Sequence, residues 1–137
     1  MAGGGCQCGA VRYQVAGPLR DVVVCHCREC QRLNGNFGSH SKTRNQDLTL
    51  TREDGLAWYQ ISDKARRGFC RICGSHLFWQ SDGQPSTGIV VGSLDDTSGL
   101  KMLGHIFVGE KAPYYEITDD LPQFEQSSDG KLPGDFV

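Results

Sequence analysis

The feature that most constrains this chain is the placement of its seven cysteines. All fall into three short sets: Cys6-x-Cys8, Cys25-x-Cys27-x-x-Cys30 and Cys70-x-x-Cys73. Cysteines that serve as small apolar core residues scatter without regard to spacing. An odd count also leaves a closed disulfide framework with one thiol over. The spacings suit a metal instead. In a C-x-x-C turn both sulfurs reach one ion, and a following glycine lets the chain take the left-handed conformation that completes the knuckle. Cys73-Gly74 fits this pattern. In C-x-C on an extended segment both side chains face the same side, and Cys8-Gly9 then turns away in the same manner.

Seven thiolates divide naturally into four plus three. Four close a tetrahedral structural site, whereas three leave a position for water or substrate. Spacing alone leaves two partitions open. One joins Cys27 and Cys30 to Cys70 and Cys73, two C-x-x-C knuckles as in a zinc ribbon. The other joins Cys6 and Cys8 to Cys70 and Cys73, leaving Cys25, Cys27 and Cys30 as the open set. Two points favour the second. Both of its halves end in Cys-Gly, whereas Gln31 follows Cys30. Cys27 and Cys30 also stand at the start of a short helix, where the N-terminal dipole lowers a thiol pKa.

Composition limits the alternatives. The 137 residues suit one domain. Hydrophobic residues make up 38% with the cysteines included, so the apolar core is thin and bound metal would help hold it. Charged residues are 22% with a formal net charge of −2, and thiolate–zinc centres take that balance further negative. No strongly basic face for nucleic acid is expected. Mean hydropathy is −0.40, and no apolar run is long enough for a transmembrane helix. The opening residues carry no secretory signal, which makes a reducing cytoplasm the expected location.

Along the chain, short strands dominate. Val11, Tyr13 and Val15 alternate with Arg12 and Gln14. Val22–Val24, the DLTLT segment, LAWYQI, GFCRICGSHLFWQS (two strands about a cysteine turn), GIVVG and His105–Val108 supply the rest. Helix is expected only from about Arg28 to Leu33, stopped by Asn34-Gly35. A second turn is expected around Thr118–Leu121, cut by Pro122. Residues 1–126 form one β domain, and 127–137 read as a polar, loosely packed tail.

The blocks GGCQCGAVRY, CHCRECQRLNGNFG, FCRICGSHLFW and HIFVGEKAPYYEITDDLPQFE together resemble the glutathione-dependent formaldehyde-activating enzyme family, which also contains centromere protein V. The resemblance implies a mainly β fold, a small zinc-binding β-tent of antiparallel sheets. It implies two zinc ions per chain, a structural one on Cys6, Cys8, Cys70 and Cys73 and a catalytic one on Cys25, Cys27 and Cys30. It further implies a carbon–sulfur lyase activity that adds glutathione, or a similar thiol, to a small aldehyde such as formaldehyde, giving an S-hydroxymethyl adduct. Tyr114-Tyr115 stands where a tryptophan is common in the family. Two other classes are weighed beside the enzyme: a non-catalytic zinc-stabilised binding module or glutathione carrier, and an iron centre. A homodimer is compatible with exposed strand edges.

The histidines are read conservatively. His26 lies between two ligands, but the middle side chain of C-x-C points away from the metal. His76 suits a strand start, His40 a pocket wall, and His105 a hydrogen-bonded core position. The run Lys64, Arg66 and Arg67 suits either a solvated turn or contacts to substrate carboxylates. Phe37, Trp58, Trp79, Tyr114 and Tyr115 are read as packing residues before pocket residues.

Overall fold

The computed structural model describes residues 1–132. Among these residues ten strands form two sheets around one core. The smaller sheet holds β1 (Ala2–Gly5), β2 (Arg12–Val15) and β5 (Leu48–Arg52), in that order. The larger has seven strands in the order β10-β3-β4-β9-β8-β7-β6. These are β3 (Val22–Cys25), β4 (Gly38–Arg44), β6 (Leu56–Gln60), β7 (Ala65–Cys70), β8 (His76–Ser81), β9 (Ser86–Val90) and β10 (Met102–Ile106). The fold is mainly β, as the sequence predicts. One detail departs from the purely antiparallel expectation: β10 joins β3 in parallel.

The period-2 pattern places the core. Tyr13 and Val15 of β2 face inward and meet Leu77, Phe78 and Ile89 of the larger sheet, all essentially without solvent contact. Tyr13 packs edge-on against Phe78 with ring centroids 5.2 Å apart. Burying each such side chain contributes about 1.5–3 kcal/mol. β1 and β4 carry neither apolar alternation nor a β-branched run. β4 instead turns Ser41 and Thr43 inward, both fully buried. Glycines make up most of β1, and a Cβ on Gly4 would stand 2.5 Å from the Ser93 carbonyl oxygen.

Among the described residues the single α-helix, α1, spans Arg28–Asn34. Cys27 is its N-cap, accepting the Cys30 N–H, and Gly35 ends it in the left-handed region at φ 92°. The second expected turn is not helical. The Asp119 carboxylate instead accepts the Leu121 N–H and pairs with His105, which holds that segment extended against β10. Short 3₁₀ turns occupy Asn45–Asp47, Val91–Ser93 and Val108–Glu110. The expected tail is not uniformly loose: Ser128 and Leu132 are buried, Leu132 lying where a Cβ on Gly104 would touch it. The rest of the tail, 133–137, lies outside the described residues.

Candidate metal centres

Cys6 follows β1, and the turn after it is closed by Cys6 N–H to the Val11 carbonyl at 3.1 Å and Val11 N–H to Cys6 Sγ at 3.2 Å. Gly9 then reverses the chain at φ 86°. The second knuckle runs from the end of β7 into β8. Gly74, at φ 80°, donates its N–H to the Cys70 carbonyl at 2.7 Å. Ser75 ties the knuckles together, accepting Gln7 N–H at 3.0 Å while its hydroxyl lies 3.2 Å from Cys73 Sγ.

These turns bring Cys6, Cys8, Cys70 and Cys73 together, with all four sulfurs within 4.8 Å of one another. Cys6 Sγ–Cys8 Sγ is 3.7 Å and Cys8 Sγ–Cys70 Sγ 3.8 Å. Those separations are far beyond a disulfide bond, and all seven cysteines are free. Sulfurs at tetrahedral corners around zinc, each about 2.3 Å from the ion, lie about 3.8 Å apart, so the donor set and its spacing fit that metal. Hydrogen bonds from the Ser75 hydroxyl and N–H push the Cys73 thiol down to about 5.

Cys25 ends β3, Cys27 caps α1, and Cys30 lies one turn along. Their three sulfurs also lie within 4.8 Å of one another. Among the described residues no fourth cysteine, histidine or carboxylate comes within that distance of all three. Hydrogen bonds from the Cys25 and Cys30 thiols, then from the Cys30 and Glu29 N–H groups, push Cys27 down to about 2. Hydrogen bonding with Cys27 pushes Cys25 up to about 12, and hydrogen bonding with Cys25, then with Cys27, pushes Cys30 well above the ordinary thiol range. Three thiols packed this closely share protons, which a soft divalent cation can replace.

The grouping of sulfurs is the second of the two partitions left open by spacing. The histidines divide by face. His26 points away from the sulfurs, its Nδ1 2.7 Å from Tyr115 Oη and its Nε2 2.9 Å from His105 Nδ1. His105 Nε2 in turn meets Asp119 at 2.9 Å. This chain, buried at its two histidines, ties residues 105–119 to the C-x-C segment. His40 lies on the sulfur side, with Nε2 3.6 Å from Cys30 Sγ. Burial, then the nearby His76 and Arg20, push it down to about 4, so its ring is neutral at neutral pH. His76 Nδ1 lies 3.4 Å from Asn34 Oδ1, while its buried Nε2 has no hydrogen-bond partner.

The basic run lies on the β6–β7 hairpin. Arg66 stacks on Trp58 at 3.9 Å and bonds Gln80, and Arg67 lies over Tyr59 at 5.0 Å. Phe37 packs on His26, and Trp58 stacks on Phe78. Trp79 and Tyr114 are exposed, Tyr114 Oη donating to Asn36. Residues that sequence reasoning missed are Gln31 and Glu110. Gln31 Nε2 donates to the His26 carbonyl at 2.9 Å and the Glu110 carbonyl at 2.8 Å, and Glu110 accepts Arg28 N–H. Only the tertiary fold brings Val108–Glu110 to α1.

Two sheets joined at a four-cysteine cluster, with a separate three-cysteine cluster at a helix start, define a small β protein with two candidate metal centres. Residues 1–110 match the family model described as glutathione-dependent formaldehyde-activating enzyme, and the chain belongs to that family. No curated protein matches it. A crystal structure of a Rhodobacter sphaeroides protein, determined as a Northeast Structural Genomics target, is similar, with TM-score 0.62 and 28% identity over 75% of this chain and 98% of that one. Among the described residues no helix is long and apolar enough to cross a membrane.

Proposed function

We propose that the protein is a zinc-dependent carbon–sulfur lyase that adds a glutathione-like thiol to a small aldehyde such as formaldehyde. Cys6, Cys8, Cys70 and Cys73 hold a structural zinc, and Cys25, Cys27 and Cys30 hold a catalytic one. The observation that carries the reading is the three-sulfur cluster, which leaves one corner of a tetrahedron to a substrate, in a chain whose family is named for this chemistry. Zinc bound there supplies Lewis acidity and lowers the pKa of a thiol at the remaining position.

The chain's own residues position the reaction. Gln31 and Glu110 fix the start of α1, and with it Cys27 and Cys30. His40 Nε2 is placed to donate an N–H to the Cys30 sulfur. The Tyr115–His26–His105–Asp119 chain fixes the segment that carries Cys25 and Cys27. The addition balances without an oxidant: the C–S bond forms, the C=O π bond breaks, and the thiol proton ends on the oxygen.

The test is Cys30→Ala. Metal analysis should fall from two zinc per chain to one, and the protein's acceleration of thiol–formaldehyde exchange, read by NMR, should vanish. An unchanged rate removes the reading. A wild-type protein that binds thiol without changing the exchange rate would make it a carrier.

A further inference from the structure

Among the described residues, three of the four sheet edges are closed or blunted. β10 is flanked by 122–124, with His105 N–H donating to the Pro122 carbonyl and Phe124 N–H to the His105 carbonyl, both at 2.9 Å. β1 meets the segment after β9, where Asp95 N–H donates to the Gly3 carbonyl at 2.9 Å. β5 carries Arg52 and pairs with β2 through an irregular register. β6, the last strand of the larger sheet, has none of these protections. Its five residues, LAWYQ, include no charge, proline or glycine, and such an edge is a template for another strand.

Hydrogen bonds at the two ends of β6 fix which backbone groups it presents outward. Gly55 accepts Arg71 N–H at 2.7 Å, and Ile61 N–H donates to the Ala65 carbonyl at 2.9 Å. Both pairs continue the register of β6 with β7, and bonded pairs alternate with unbonded ones along an antiparallel ladder. Ala57 and Tyr59 therefore bond β7, whereas Leu56, Trp58 and Gln60 turn their backbone groups to the free side. Of these, Leu56 N–H is taken by the Glu53 carbonyl at 2.9 Å. Trp58 and Gln60 present both N–H and C=O, and Leu56 its C=O. Side chains alternate too. Tyr59, 55% exposed, shares the outer face with Ala57, while Trp58 lies on the inner face against Phe78.

We propose that β6 pairs antiparallel with β6 of a second copy about a two-fold axis at Trp58, giving one continuous sheet of twice seven strands. An axis normal to the sheet sets each residue opposite one on the same face. The register that pairs all five residues joins Trp58 to the partner's Trp58, Ala57 to the partner's Tyr59 and Leu56 to the partner's Gln60. Trp58 N–H then donates to the partner's Trp58 carbonyl and Gln60 N–H to the partner's Leu56 carbonyl, each twice by symmetry. The exposed Tyr59 ring settles over the partner's small Ala57, so a second copy supplies both halves of the fit. Arg66 and Arg67 do not oppose the pairing. They stay stacked on Trp58 and Tyr59, three strand spacings or about 14 Å from their counterparts, beyond the screening length of about 8 Å. Five residues a side is far below the roughly 20–30 of a standard interface. The dimer is accordingly weak, with a dissociation constant on the order of 100 µM. Nothing in it calls on the cysteine clusters, so it stands apart from the reaction proposed above.

The test is sedimentation velocity on the full chain from about 5 µM to about 500 µM, with amide hydrogen exchange followed by NMR at both ends of the range. The weight-average mass should rise from that of a monomer towards that of a dimer. Gln60→Pro removes an outward N–H from each copy and leaves the ladder to β7 intact, as proline can on an edge strand. The Gln60 side chain itself bonds the Ser62 carbonyl, next to it in the turn. The variant should raise the dissociation constant at least about tenfold, with the melting temperature at low concentration little changed. At the higher concentration the Trp58 and Gln60 amides should exchange about threefold more slowly. Ala57 and Tyr59 amides, already bonded to β7, should change far less. A chain that stays monomeric throughout overturns the proposal, whatever else pairs with the edge. So does a dimer that Gln60→Pro leaves at wild-type affinity. Where that variant fails to fold, the amides decide: a dimer in which Trp58 and Gln60 exchange as fast as in the monomer uses another surface, and the assignment of β6 falls.

Discussion

A methyl group on Gly55 would stand 2.7 Å from Cys70 Sγ and 2.9 Å from the Ala10 Cβ. The residue is bare because the four-cysteine cluster presses against its backbone, which donates to Ala10 and accepts from Arg71. Gly55→Ala should cost about 1–3 kcal/mol and speed zinc release to a chelator, whereas Gly92→Ala, in open space, should shift the melting temperature little. His76 offers a pH test. Burial, then Arg67, push it down to about 4, against about 6.5 in an unfolded chain. Between those values the unfolded state binds the extra proton, so stability rises with pH there and is lost as pH falls from about 6.5 towards 4. NMR titration should find the His76 ring neutral at pH 5. His76→Phe should reduce the slope of the melting temperature over that window, leaving the part contributed by His40.

At the level of elements, α1 is anchored by side chains rather than by length. Gln31→Ala removes two hydrogen bonds to carbonyls of neighbouring segments. It should cost about 1 kcal/mol and preferentially loosen metal at Cys25, Cys27 and Cys30, measured as a faster chelator phase. The helix was legible in the sequence because its stop is chemical: Gly35 supplies a φ of 92° that other residues resist. The strands β2, β3 and β5 to β9 were legible from apolar alternation or β-branched runs. β1 and β4 were not, because glycines and buried hydroxyls stand where a pattern search expects apolar side chains. The sulfur clusters were legible because spacing and Cys-Gly carry the local geometry. A cleft lined by Gln7, Asn34, His76 and Asp95 was not, since these residues are individually ordinary and meet only through the fold.

For the whole molecule, the four-cysteine cluster joins the two sheets. Cys6 and Cys8 follow β1 of the smaller one, while Cys70 and Cys73 belong to the β7–β8 hairpin of the larger. With so modest a core, chelation should proceed in two phases. Metal should leave the three-cysteine cluster first with circular dichroism unchanged, and removal of the second ion should unfold the chain. A single phase with simultaneous unfolding would contradict the division of roles. The same join spaces its halves far apart, Cys8 and Cys70 being 62 positions from each other. On a translating ribosome the first knuckle therefore waits, unpartnered, until Cys70 and Cys73 have emerged as well. With zinc as proposed above, an ion that arrives before the second knuckle finds only half of its ligands.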